Sequence, residues 1–254
     1  MTSSCLSSKL PNCQKCKSDE SLPFDFTMAF HPIVNCQTHE VFGYEALVRG
    51  LNNESAFSII SQVNDDNRYL FDQHCRIKAI ALAAKLGITS MLSINFLPNA
   101  IYKPERCIRT TLEAAEQYDF PLENIMFEFT ENEKLQSNQH IKKVVEYYQK
   151  LGFKTATDDF GSGYSGLTLL ADFQTDIVKF DMELIRGIDK DTVRQTIFIH
   201  SLAMLDSLNI TALAEGVETL AEYSWIKAQG VRLMQGFLFA KPGFECLPDV
   251  QFPD

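Results

Sequence analysis

Two adjacent carboxylates, Asp158 and Asp159, close the run Thr155-Ala156-Thr157, and Phe160-Gly161-Ser162-Gly163-Tyr164 follows at once. A run that ends on charge and then on glycine reads as a strand leading into a sharply turning loop. Neighbouring strand residues face opposite ways, so both acids can serve one centre only where the alternation relaxes at a strand end. The chemistry that wants two carboxylates in one place is a pair of divalent metal ions. An Asp-Asp before glycine is also an ordinary solvated turn, and this stretch alone leaves both readings open.

The elements that must position such a centre are legible in the hydrophobic pattern. Residues 26–34 and 41–48 flank a polar turn at 35–40 and read as a β-hairpin. Leu70, His74, Ile77, Ala81 and Ala84 recur at helical spacing up to Gly87, so the spacing predicts an amphipathic helix over 66–86 with that face inward. Strand 91–96 follows, then a helix entered at Pro104 with Cys107, Ile108, Thr111, Leu112 and Ala115 inward, then strand 124–129. Helix 139–151 leads into the strand ending at Asp158, and strand 176–180 comes next. A helix over 192–208 uses Ile197, Leu202 and Leu205. Strand 210–214 precedes a helix opened by a Thr219/Glu222 capping box and closed by Gly230, and the last strand covers 231–238. Strands alternating with helices require parallel pairing through helical crossovers, and a barrel accommodates them best.

In a parallel barrel the site lies at the C-terminal strand ends. Those ends carry Asn95, Glu128, Asp158 with Asp159, Lys179 or Asp181, and Glu215, with Gln235 in the last strand and Glu45 in the opening hairpin. Carboxylates at the ends of apolar strands need partners to offset desolvation, so one shared site is expected. The donors are oxygens, with no histidine or cysteine among them, which favours Mg²⁺ or Mn²⁺ over Zn²⁺. Taken singly, Asn95 also reads as a satisfied core amide, Gln235 as a turn residue and Asp181 as a helix cap.

The whole chain bounds the function. A length of 254 residues with 45% apolar content suffices for one large α/β barrel or two small domains, and a formal charge of −10 gives no surface for polymeric nucleic acid, while leaving a small phosphorylated ligand open. No run of about 18 apolar residues and no secretory signal appear, so a cytoplasmic protein without a membrane span is expected. Residues 1–22 read as a mobile tail ahead of a domain over 23–254. Cys13-Gln14-Lys15-Cys16, with Cys5 nearby, reads as half a zinc site or a redox pair, set against a tail without such chemistry.

The motifs Glu45-Ala46-Leu47-Val48-Arg49, Ser93-Ile94-Asn95, Glu128-Phe129-Thr130-Glu131, Asp158-Asp159-Phe160-Gly161, Lys179-Phe180-Asp181, Glu215-Gly216-Val217-Glu218 and Gln235-Gly236-Phe237-Leu238-Phe239, in this order, resemble an EAL domain over residues 24 to 245. The resemblance implies a modified TIM (β/α)8 barrel with an antiparallel first strand. It implies hydrolysis of cyclic di-GMP to linear 5′-pGpG with two Mg²⁺ or Mn²⁺ ions, commonly by a homodimer. Carried over by position, Glu45, Asn95, Glu128 and Asp158 would hold one ion, and Asp158 would bridge to a second held with Asp159 and with Glu215 or water. Lys179 would position or deprotonate the attacking water, as a base or as a fixed charge. Arg49, Leu47, His31 and Gln235 would line the substrate site, while Glu131, Glu218 and Asp181 would support the ligands, helix capping being the alternative.

Two departures stand out from the pattern. His31 stands before Pro32 where glutamine is usual, and the loop after Asp159 carries Ser162 and Gly166 where Thr and Ser are usual. An imidazole titrates near pH 6.5, so His31 brings an expectation of substrate binding that weakens as pH rises from about 6 to 8. Some members of the family are non-hydrolytic cyclic di-GMP receptors or antirepressor-type protein-binding modules. Loss of acidic ligands would mark that path, and none is lost here.

Overall fold

The computed structural model describes residues 21–97, 100, 101, 103–130, 138–162 and 166–253. The cysteines of the tail and Glu131 lie outside these residues. The elements, in chain order, are β1 Thr27–Asn35, β2 Glu40–Arg49, α1 Ala56–Ile60, α2 Arg68–Lys85, β3 Met91–Asn95, α3 Pro104–Cys107, α4 Arg109–Gln117, β4 Ile125–Thr130 and α5 Asn138–Lys150. Then come β5 Lys154–Phe160, α6 Gly166–Asp172, β6 Ile177–Phe180, α7 Met182–Ile185, α8 Thr192–Ser207, β7 Thr211–Ala214, α9 Leu220–Ala228, β8 Leu233–Gln235 and β9 Gly243–Phe244.

Strands β2 to β8 pair in sequence order and in parallel, and β1 closes the ring by pairing antiparallel with both β2 and β8. The inversion of β1 follows from its connection. Only Cys36–His39 joins it to β2, far too short for a crossover, and Asn35 tightens the turn by accepting from the Gln37 and Thr38 amides at 3.0 and 3.3 Å. The closed α/β barrel with an antiparallel first strand is therefore the architecture expected from the sequence.

Apolar side chains fill three regions. Ile33, Met126, Ala156, Ile177, Leu213 and Leu233 pack together inside the barrel. The outer strand faces pack on the helices, around Phe96, Phe127, Phe129 and Tyr148 on one side and around Phe180, Phe198, Tyr223 and Phe239 on the other. Burying these rings stabilises the fold at roughly 25 cal/mol per Å² of apolar surface removed from water.

Several expectations need correction. The helix over 68–85 turns its buried face one residue away from the expected one: Phe71, Asp72, Cys75, Arg76, Ala79, Ile80 and Ala83 are buried, and Leu70, His74, Ile77, Ala81 and Ala84 only half-buried. Two charged residues on the buried stripe disguised it. In α8, Phe198 is buried and Ile197 is 50% exposed, because the bulkier ring takes the site against Phe180 and Trp225. The helix entered at Pro104 breaks into α3 and α4, β5 continues to Phe160, and β8 keeps only Leu233–Gln235. Short helices α1, α6 and α7 are additional. Cys36, Cys75 and Cys107 are buried and reduced, and Cys246 is exposed.

The junction of β5 and β6 hangs on one carboxylate. Asp176 accepts from the Thr155 amide and hydroxyl, both at 2.9 Å, and from Lys154 Nζ at 3.0 Å. Burial opposes its charge, but these donors outweigh it and hold the carboxyl below 3.8. A lowered folded pKa means that the contribution is complete above 3.8 and is lost as pH falls through the lower folded value. Asp176→Asn should therefore cost about 1–2 kcal/mol near neutral pH, by charge-assisted bonds at a half-exposed site. In urea unfolding, the gap to the unaltered protein should narrow below pH 4; a gap independent of pH would disprove this account.

Candidate metal and substrate site

The barrel interior carries a simple spacing rule. On β4 to β8, the residue two positions beyond each interior apolar residue is polar and faces the same way: Met126 and Glu128, Ala156 and Asp158, Ile177 and Lys179, Leu213 and Glu215, Leu233 and Gln235. On the inverted β1 the direction reverses, and His31 stands two positions before Ile33. The register sets His31 opposite Glu45, so both side chains share a face. A polar layer therefore sits directly above the apolar one.

Lys179 is at the centre of that layer and fully buried. Its Nζ lies 2.6 Å from Glu215 Oε1, 2.8 Å from Glu128 Oε2, 3.1 Å from Asp158 Oδ1 and 3.9 Å from Glu45 Oε2. Burial opposes the ammonium, but these carboxylates win and raise its pKa well above 10.5. Burial pushes Glu128 up to about 8, with Lys179 pulling against it, and burial together with Asp158 raises Glu215. The cluster holds more negative charge than one lysine offsets.

Asp158 and Asp159 reach one centre through a backbone irregularity. The β5–β6 register shifts between Thr157 and Phe160, and Asp159 adopts a left-handed φ of 57°. Such a conformation is uncommon for a residue other than glycine, and it costs of order 1 kcal/mol. Here it turns the second carboxylate back towards the first. Two sets result, Glu45 with Glu128 and Asp158, and Asp158 with Asp159 and Glu215, and within each set a ligand oxygen from every residue lies within 4.8 Å of the others. Asp158 belongs to both.

The polar residues around the sets are tied to them. Asn95 Nδ2 donates to Glu45 Oε1 at 2.9 Å, and Gln235 Nε2 donates to Glu45 Oε2 at 3.1 Å. Gly236 makes the Gln235 position possible: a Cβ there would lie 2.1 Å from the Val217 carbonyl oxygen, so only glycine permits this approach. Glu128 Oε1 is buried without a hydrogen-bond partner, and Asp158 Oδ1 faces Lys179 without hydrogen-bond geometry. Buried anionic oxygens with lone pairs to spare, in an all-oxygen donor set, fit hard divalent cations.

Sequence comparison agrees with this geometry. The EAL domain profile matches residues 23–242. The chain belongs to the EAL domain family. A standalone versatile EAL protein from Vibrio cholerae O395, crystallised in a c-di-GMP-bound form, shares 73% identity and superimposes with a TM-score of 0.89, over 91% of this chain and 98% of that one. The blue light- and temperature-regulated antirepressor BluF of Escherichia coli K12 is 30% identical over 227 residues, which is 89% of this chain and 56% of BluF. The cyclic di-GMP phosphodiesterase PdeR of the same strain is 32% identical over 177 residues, 69% of this chain and 26% of PdeR. This chain thus spans about half of BluF and about a quarter of PdeR.

Within this EAL domain the remaining residues fall into distinct places. Leu47 and Arg49 follow Glu45 along the same strand face towards the rim, where Arg49 Nη1 donates to the Val48 carbonyl at 2.7 Å. His31 Nε2 lies 3.2 Å from the Ala240 carbonyl oxygen. Burial lowers the His31 pKa from the ordinary imidazole value, with Glu45 opposing. Asp181 caps α7 by accepting from the Glu183 amide at 2.7 Å, and Glu218 pairs with Arg186 at 3.6 Å near the surface. Phe237 was not singled out from the sequence. It is 53% exposed beside His31, with Lys241 Nζ 5.7 Å from its ring centre, and its signal was an exposed aromatic directly after Gln235-Gly236.

Because Lys179 supplies the cluster's internal positive charge, Lys179→Met should destabilise the protein by about 3–5 kcal/mol in chelator, leaving buried carboxylates uncompensated. Added Mn²⁺ should restore more stability to this variant than it adds to the unaltered protein. Equal Mn²⁺ shifts in thermal unfolding would show that ions and ammonium do not share the same carboxylates.

Proposed function

We propose that this chain is a cytoplasmic, metal-dependent phosphodiesterase that hydrolyses cyclic di-GMP to linear 5′-pGpG with two Mg²⁺ or Mn²⁺ ions, and that it acts as a homodimer. The observation that carries the reading is the pair of carboxylate sets sharing Asp158 at the mouth of the barrel. Glu45, Asn95, Glu128 and Asp158 would hold one ion, and Asp158, Asp159 and Glu215 the other. When bound, the ions make a water more acidic and offset the charge that builds on the attacked phosphodiester.

The chain's own residues account for the rest. Lys179 Nζ, held as an ammonium between Glu128, Asp158 and Glu215, orients the attacking water and stabilises developing negative charge. Arg49 offers a planar fork to a phosphate. Gln235 fixes Glu45 and leaves its amide at the site wall, and Leu47 and His31 line the cleft beside it. Phe237 presents an exposed ring on which a guanine can stack. Residues 23–254 form the working domain, and the preceding tail is dispensable. Glu131, Glu218 and Asp181 act through the loops that carry the ligands.

A second reading has specific support, since the BluF antirepressor is a relative across most of this chain. A binding-only module has no need of a complete acidic set, and the completeness of the set favours hydrolysis. The two separate in one experiment: incubation with cyclic di-GMP and Mg²⁺ or Mn²⁺, with chromatography of the products. Accumulation of 5′-pGpG is expected, whereas tight binding of intact nucleotide would establish the receptor reading. Glu45→Ala and Asp158→Ala should each lower turnover by more than about 100-fold while unfolding cooperatively, because each removes a ligand and leaves the apolar core intact. Comparable Mg²⁺-dependent turnover in both would refute the ligand assignment. Lys179→Ala should lower kcat far more than it raises KM, and an unchanged kcat would make its role structural.

A further inference from the structure

Outside the site, α2 carries a buried ion pair that the reaction does not use. Arg76 Nη2 lies 2.6 Å from Asp72 Oδ2, and the two side chains are 0% and 1% exposed. A buried pair of this kind seldom stabilises more than a well-packed hydrocarbon would, so stability alone does not account for it. Its contacts point elsewhere. Asp72 Oδ1 accepts from the Leu97 amide at 2.9 Å, just past the end of β3, where the chain leaves the sheet two residues after Asn95. The Arg76 guanidinium lies 5.7 Å from the Phe96 ring centre and 5.1 Å from that of Phe127, and donates to Tyr148 Oη at 3.0 Å.

Phe96 and Phe127 are the chain neighbours of Asn95 and Glu128. Strand alternation sends these rings outward to α2 and α5 and sends Asn95 and Glu128 inward. Asn95 and Glu128 are register partners, and the Phe96 amide donates to the Glu128 carbonyl at 2.9 Å. The helix therefore grips the outer face of the very strand ends whose inner face carries ligands of the first metal set.

We propose that Asp72 and Arg76 are positioning residues: Asp72 fixes the exit of β3 through the Leu97 amide, Arg76 holds that carboxylate and clamps Phe96 and Phe127, and together they set Asn95 and Glu128 at metal-binding distance. This rests on the metal reading of the site. Apolar residues could fill the same space. They could not accept from Leu97 N, and that bond is the part of the arrangement that transmits position.

The test compares two double variants that both remove the buried charges. Asp72→Asn/Arg76→Met keeps a carbonyl oxygen for Leu97 N, and Asp72→Leu/Arg76→Met does not. A cavity of about 130 Å³ beside Phe71, Asp72, Asn95 and Leu97 leaves room for the leucine. Mn²⁺ affinity is measured by calorimetric titration, alongside thermal unfolding and amide exchange at Leu97. The expected result is near-normal affinity for the asparagine variant and a loss of about 10–100-fold for the leucine variant, with faster exchange at Leu97. If the leucine variant fails to fold, Asp72→Ala/Arg76→Met is read in the same way. Equal affinities in folded asparagine and leucine or alanine variants would overturn the inference alone. No Mn²⁺ binding by the unaltered protein would overturn the metal reading and the inference with it.

Discussion

Mutual repulsion among carboxylates at the barrel mouth is the constraint to which the rest of the structure answers. Glu45, Glu128, Asp158 and Glu215 converge on one lysine, and Asp159 adds to the same region. Moving one charge of this kind from water into a protein interior costs several kcal/mol even after relaxation. A fold that packs several together without an equal number of cations is storing affinity for positive charge. Lys179 relieves part of it, the buried and unpartnered Glu128 oxygen shows where relief is incomplete, and the raised Glu128 and Glu215 pKa values express the same imbalance.

Such a cluster holds its shape only if each carboxylate is fixed by something other than its neighbours. The interior apolar layer does this for β4 to β7: Met126, Ala156, Ile177 and Leu213 are packed against one another, and the polar residue two positions on inherits their rigidity. Glu45 is fixed differently, between the Asn95 and Gln235 amides. Asp159 is presented by a left-handed backbone turn at φ 57°. The three means differ in energy, yet each is paid for by packing elsewhere in the barrel.

Much of this was legible in the residues. Alternation of apolar strands with helices gave the barrel, and polar residues at strand ends gave the carboxylate cluster, because both signals are local and periodic. The buried face of α2 was not legible: a stripe containing Asp72 and Arg76 scores as solvent-facing, and only the facing Phe96, Phe127 and Tyr148 rings make it an interior. Likewise the two acids of 158–159 announced a shared centre, but the register shift that brings them together depends on pairing with β6, about twenty residues away along the chain. Asp181 and Glu218 share motifs with residues of the cluster, and their helix cap and ion pair with Arg186 are contacts that spacing does not specify.

The inverted first strand has a consequence of its own for the site. In a parallel barrel every strand presents its C-terminal end at the mouth, and all strand-end carbonyls point there together. β1 reverses this, so the mouth receives the early part of the strand, with His31 and its carbonyl, which accepts from Gln235 Nε2 at 3.4 Å. The hairpin also brings Glu45 beside His31, and Glu45 and Gln235 are thereby linked across β1 and not through a neighbouring parallel strand. One wall of the site is therefore built from a segment whose sequence order runs opposite to that of the others. That is why a residue before the apolar layer, and not after it, stands beside the ligands there.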